Sequence, residues 1–177
     1  MSLDELLQQR IRTIADWPTE GFQFRDIMPL LADPEGLSSC VAAMRSRLDD
    51  AGFDDVHAIA GIEARGFILG SALAMGMGVG FVAIRKAGKL PGDVVSQSYD
   101  LEYGTATLEI QRDLLRPGAR VVLVDDVLAT GGTAAAAAQL LDAVGAQVVG
   151  LISLLELGAL GGRERLTGLS IESLHQI

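Results

Sequence analysis

The sequence predicts an α/β fold: a mostly parallel, twisted sheet flanked by helices, with a small N-terminal cap and a hairpin forming a flexible hood. Three observations carry this. Strand-like and helix-like segments alternate from Val56 to Leu155, which implies right-handed crossovers and parallel pairing. Val121-Val122-Leu123-Val124 is apolar without a break, the pattern of a strand buried on both faces. The first 35 residues lie outside the alternation and are expected to cap the carboxyl edge of the sheet. With 177 residues and 49% apolar content, a single domain spanning 1–177 is the expectation, with 1–35 as cap and 85–110 as lid and hairpin.

Taken in order, Ser2 and Glu5 form a capping box opening an amphipathic helix to about Ile14. Trp17-Pro18-Thr19-Glu20-Gly21 breaks it, and Phe22 to Leu31 reads as a loop with a short extended piece. Pro34 starts a second helix that ends near Gly52. Val56 to Ala60 reads as a strand, Gly61 to Gly66 as a turn, Phe67 to Met77 as a helix rich in small residues, and Gly80 to Ile84 as a strand. Arg85 to Val95 has no periodicity and the length of a lid. Gln97–Glu102 and Thr105–Ile110 form an antiparallel pair joined near Tyr103-Gly104. Arg116-Pro117-Gly118 turns into the apolar strand, and Ala134 to Leu141 is a helix that Gly145 stops. A strand at Val148–Leu155, a short helix near Arg163–Leu166 and an edge strand near Ile171 complete the chain.

Composition narrows the function. No apolar run approaches the roughly 18 residues of a bilayer span. The N-terminus lacks the basic and apolar regions of a secretory signal, and the single Cys40 leaves no internal disulfide or multi-Cys metal site, so a cytoplasmic location is expected. A net charge of −9 argues against a nucleic-acid surface and against a regulator that carries one. It also means that any anion must be held locally, by backbone amides, a divalent cation and placed basic residues.

The chemistry concentrates where the apolar strand ends. Asp125-Asp126 suit the paired hydroxyls of a ribose. Thr130-Gly131-Gly132-Thr133, opening the Ala134 helix, can aim backbone N–H groups, two hydroxyls and the positive end of a helix dipole at one phosphate. A sugar grip beside a phosphate grip specifies a ribose phosphate. The bland alternative is a buried strand and a capped helix with no ligand. Neither a P-loop nor a dinucleotide fingerprint fits, because Gly-Lys-Ser/Thr and G-x-G-x-x-G are both absent there.

Three further segments join that motif. Gly61-Ile62-Glu63-Ala64-Arg65-Gly66 connects a strand to a helix at the same sheet edge, either as a diphosphate loop with Arg65 as the charge partner or as a routine turn. Glu102-Tyr103 occupies a hairpin tip, and a carboxylate near an anomeric carbon could stabilise oxocarbenium charge and carry a base proton. Phe24 lies beside extended backbone; it could stack on a base, worth about 1–3 kcal/mol, or belong to the core of the cap. His57 and His175 have no partners at ligand spacing.

Together these segments resemble the type I phosphoribosyltransferases, whose 5-phosphoribosyl-1-diphosphate (PRPP) signature matches the thirteen residues Val121 to Thr133. Phe24-Arg25-Asp26-Ile27, Ala64-Arg65-Gly66-Phe67, Ile84 to Gly92 and Leu101-Glu102-Tyr103-Gly104 follow in family order and point to the adenine-using branch. The resemblance implies transfer of ribosyl phosphate from PRPP to adenine, giving AMP and diphosphate. By position it places Ala129, Thr130, Gly131, Gly132 and Thr133 on the 5-phosphate, and Asp125 and Asp126 on the ribose. It places Glu63, Ala64, Arg65 and Lys86 at the diphosphate, with a cis Glu63–Ala64 peptide. Phe24 would stack on adenine while backbone at Gln23 and Arg25 reads its edge. Glu102, Tyr103 and Arg65 would be the catalytic set. Mg2+ would ride on the substrate with no direct protein ligand, and the chain would form a homodimer. Gln23, Met28, Glu63 and Asp100 depart from the residues usual in the family, and the first two adjoin the base site. Xanthine or guanine/hypoxanthine as the base, and PRPP binding without catalysis, are the alternatives.

Overall fold

The computed structural model describes residues 2–101 and 104–177. Five parallel strands form the body of a seven-stranded sheet: β3 (Ala58–Ile62), β4 (Gly80–Lys86), β7 (Arg120–Leu128), β8 (Gln147–Glu156) and β9 (Ser170–Gln176). The hairpin β5 (Val94–Asp100) and β6 (Thr105–Gln111) adds antiparallel to β4 and gives the order β5-β6-β4-β3-β7-β8-β9. A separate two-stranded sheet, β1 (Arg12–Ala15) with β2 (Gln23–Asp26), belongs to the cap.

Helices cover both faces. Alternate residues of β7 divide between two cores, as a period of two requires. Val122 and Val124 pack with Ile152 and Leu154 against helices α1 (Leu3–Arg10), α3 (Pro34–Asp50) and α4 (Arg65–Met77). Val121 and Leu123 pack with Leu151 against α5 (Gly132–Ala143), whose Ala134, Ala136 and Ala137 allow close approach to the sheet. Short helices α2 (Met28–Leu31) and α6 (Gly162–Arg165) fill corners. No helix among the described residues is long and apolar enough to cross a membrane.

Local chemistry explains most boundaries. The capping box is present: Ser2 Oγ accepts from Glu5 N, and Ser2 N donates to the Glu5 carboxylate at 2.7 Å. Asp33 caps α3 by accepting from Glu35 N and Gly36 N. Four boundaries differ from expectation. Helix α1 stops at Arg10, because residues 12–15, with β-branched Thr13 and Ile14, find backbone partners in β2. The short extended piece expected in 22–31 is β2, and the rest of that segment holds the helix α2 rather than a loop. Strand β7 runs to Leu128, so Asp125 and Asp126 lie within it, paired to β8. Strands β4 and β5 absorb both ends of the expected lid, leaving residues 87–93. That turn is fastened by Ala87 N donating to Thr107 O, Gly88 N to the Glu109 carboxylate, and the Arg112–Asp93 ion pair.

The strand order reverses between β3 and β7. From β3 the chain winds through α4 to β4 on one side, and from β7 through α5 to β8 on the other. Pairing of β3 with β7 ends at Gly61 opposite Val124. Beyond that point β7 continues alone on this side, and Asp125 and Asp126 stand beside the Glu63–Arg65 turn. Crevices at such reversals, at the carboxyl ends of strands, are the ligand sites of open α/β sheets.

Candidate active site

A single cleft at this reversal is lined by Glu63, Ala64, Arg65, Lys86, Tyr99, Asp125, Asp126, Ala129 and Thr133. It collects residues from β3, β4, β5, β7 and the loop before α5. The Glu63–Ala64 peptide is cis, as the resemblance implied.

Arg65 is the hub of the cleft. Its Nε donates to Asp126 Oδ2 at 2.5 Å, and its guanidinium carbon lies 5.3 Å from the centre of the Phe24 ring. One side chain thus joins the acidic pair to the cap, within cation–π range. Glu63 does not pair with Arg65. Its carboxylate accepts from Lys86 N at 2.9 Å and from Arg85 Nε at 3.3 Å, tying the turn to the end of β4. Burial pushes its pKa up, but these two donors outweigh burial and hold it below the ordinary carboxylate range.

The two aspartates are unlike. Asp126 is buried and compensated by Arg65. Asp125 spends one oxygen on the Asp126 backbone N–H, at 2.9 Å. Burial first, and the neighbouring Asp126 charge second, raise its pKa well above the usual value. A ligand that donates hydroxyl protons here would relieve an under-satisfied carboxylate.

The Ala129–Thr133 loop takes its shape from glycine. Gly131 sits at φ +78° and is the N-cap of α5. Its hypothetical Cβ would fall 2.7 Å from Gly162 O, and a Cβ on Gly162 would fall 2.2 Å from Ala129 O. Two glycine-bearing backbones therefore pack against each other, and α6 braces the loop from behind. Arg163 anchors α6 by donating to both oxygens of buried Glu156, at 2.6 and 2.9 Å, and to Ile171 O at 2.7 Å. Thr133 Oγ1 donates to Tyr99 Oη at 3.3 Å, bringing the hairpin over the loop.

In the cap, Phe24 packs edgewise on Trp17 with ring centres 4.4 Å apart. Asp16 N donates to Phe22 O, so in the antiparallel alternation residues 22, 24 and 26 face β1. The backbone groups of Gln23 and Arg25 consequently point away from the partner strand, free for a planar edge. The Arg25 side chain turns off to Thr13 Oγ1. The expected Glu102 and Tyr103 lie outside the described residues. Sequence reading missed Trp17 as a ring partner, Tyr99, Ser153 and Gly162. None has a local signal, since each acts on a residue distant in sequence. Among the described residues, no three acidic, His or Cys side chains converge on one point as a metal cage.

Residues 29–169 match the family described as phosphoribosyl transferase domain, and the fold is that of this class. An adenine phosphoribosyltransferase of Streptomyces galbus is 51% identical over 99% of this chain and 97% of the relative. The crystal structure of the adenine phosphoribosyltransferase of Thermoanaerobacter pseudethanolicus superposes with a TM-score of 0.94 at 44% identity, covering 99% of this chain and 100% of that one. That of Giardia lamblia, complexed with 9-deazaadenine, superposes at 0.91 with 40% identity, covering 100% and 98%. The chain belongs to the adenine phosphoribosyltransferase family.

Proposed function

We propose that this chain transfers the 5-phosphoribosyl group of PRPP to adenine, releasing diphosphate and forming AMP. The observation that carries the reading is the single cleft in which Asp125, Asp126 and the glycine-shaped loop before α5 stand opposite the Arg65 turn. The loop receives the 5-phosphate through its N–H groups and the α5 dipole. Asp125 and Asp126 accept from the ribose hydroxyls, and Arg65 with Lys86 faces the diphosphate. Phe24 carries the adenine ring, whose polar edge meets the outward backbone of Gln23 and Arg25.

Adenine N9 forms its bond to C1 of the ribose as the C1–diphosphate bond breaks with its electron pair leaving on oxygen. Placing the two reactants on neighbouring elements supplies much of the catalysis, and excluding water protects the electrophilic carbon. Glu102 is assigned the proton that the purine sheds, near N7, and Tyr103 closes over the site; both roles rest on the family resemblance. Mg2+, when bound, neutralises diphosphate and ribose oxygens. The residues present fit that arrangement, because Asp126 is paired to Arg65 and both aspartates are assigned to the ribose hydroxyls, which would leave the cation to waters and substrate oxygens. The same resemblance supports a homodimer working in the cytoplasm.

The test is direct. Purified protein with PRPP, Mg2+ and radiolabelled adenine should give AMP, while hypoxanthine, guanine and xanthine should give little nucleotide. Nucleotide formed chiefly from an oxopurine would overturn the base assignment, and PRPP binding with no nucleotide from any base would overturn catalysis.

A further inference from the structure

Register between β7 and β8 sets Ser153 directly beside Asp125. Both line a small cavity enclosed by the Ala129–Thr133 loop, with Leu128 and Leu151 as its apolar walls. Ser153 has no exposed surface, and its Oγ has no hydrogen-bond partner among the described residues. Buried hydroxyls are nearly always partnered, so an orphan calls for a reason. The neighbouring strand positions on this face, Leu151 and Leu123, are apolar core. A serine at the next step therefore interrupts a hydrophobic row where the row passes under the loop. An alcohol can both donate and accept, which suits a phosphate oxygen or a water bound to one.

We propose that Ser153 is a positioning residue of the 5-phosphate subsite, its hydroxyl supplying a floor hydrogen bond completed only when the phosphoribosyl group fills the loop. The bond runs to the phosphate directly or through one trapped water. This rests on the reading of the loop as the phosphate grip. It assigns the orphaned hydroxyl a partner in the bound state and leaves it a liability in the free one. That asymmetry separates the proposal from a packing role, because removing the hydroxyl should affect free and bound protein in opposite senses.

The experiment compares wild type, Ser153→Ala and Ser153→Cys by calorimetric titration with ribose 5-phosphate, by PRPP kinetics, and by melting without ligand. Ser153→Ala should melt at or above the wild-type temperature. It should bind ribose 5-phosphate at least about tenfold more weakly, as for one lost hydrogen bond to a charged group. KM for PRPP should rise more than kcat falls, and Ser153→Cys, with its weak S–H donor, should lie between. Unchanged ribose 5-phosphate affinity in Ser153→Ala, whether or not the melting temperature falls, overturns the proposal. A wild type that fails to bind ribose 5-phosphate overturns the reading of the loop and this assignment with it.

Discussion

Gly162→Ala tests how the Ala129–Thr133 loop is braced. Gly162 does not need a left-handed backbone, so alanine is allowed there conformationally, and the obstacle is space alone. Its Cβ would lie 2.2 Å from Ala129 O and 3.1 Å from both Ala129 C and Gly131 N. A carbon–oxygen contact needs about 3.3 Å, so the two segments must part by about 1 Å. Neither side yields cheaply: the loop is held between β7 and α5, and α6 is pinned by Arg163 to Glu156 and Ile171 O. Overpacking costs about 1–3 kcal/mol, and two colliding backbones put the cost in the upper half. At about 2–4 °C per kcal/mol for a chain of this size, the melting temperature should fall by roughly 4–12 °C. KM for PRPP should rise, since the displaced backbone carries the N–H groups proposed to hold the 5-phosphate. Differential scanning calorimetry and initial-rate kinetics read both quantities. Melting within 1 °C of wild type with unchanged KM would refute the bracing role.

Gly76→Ala, in the last turn of α4, meets nothing closer than Val41 Cγ1 at 3.9 Å and should raise stability by about 0.5–1 kcal/mol in urea unfolding. Asp26 accepts from Met28 N and from Arg12, which hold its carboxyl below the ordinary range; the stabilisation is present at neutral pH and disappears as pH falls through that range. Asp26→Asn should therefore lose about 1–2 kcal/mol at pH 7 and show a flatter acid limb; an unchanged limb counts against the pairing. Asp125 is shifted the other way, so its cost is absent in acid and grows as pH rises. Asp125→Asn should gain stability over wild type toward neutral pH, while the double variant Asp125→Asn, Asp126→Asn should weaken PRPP binding at least about tenfold. Glu102→Gln should lower kcat far more than it weakens PRPP binding, and turnover surviving within a few-fold would remove the proton role from Glu102.

The active-site elements differed in how visible they were. The Val121–Thr133 motif was legible because its parts are contiguous: buried-strand pattern, acid pair, small-residue loop and helix start follow one another. The extent of β7 was not, because Asp125 and Asp126 are poor strand formers held in the ladder by β8. Strand β1 hid at the end of a helical pattern, since pairing between residues 12–15 and 23–26 overrode local propensity. The partners of the Glu63–Arg65 turn had no local signal either: one residue separates the two side chains, yet the turn sends Glu63 to Arg85 and Arg65 to Asp126.

Local order along the chain determined the α/β class, the acid pair and small-residue loop at the end of β7 and the arginine turn after β3, because each arises from neighbours within a dozen residues. Only the tertiary structure decided that β3 and β7 flank the reversal of strand order, that Arg65 closes on both Asp126 and Phe24, and that Gly162 and Ser153 lie against the Ala129–Thr133 loop. Those contacts join residues tens of positions apart, and packing between distant segments leaves no periodic trace in the sequence that makes it.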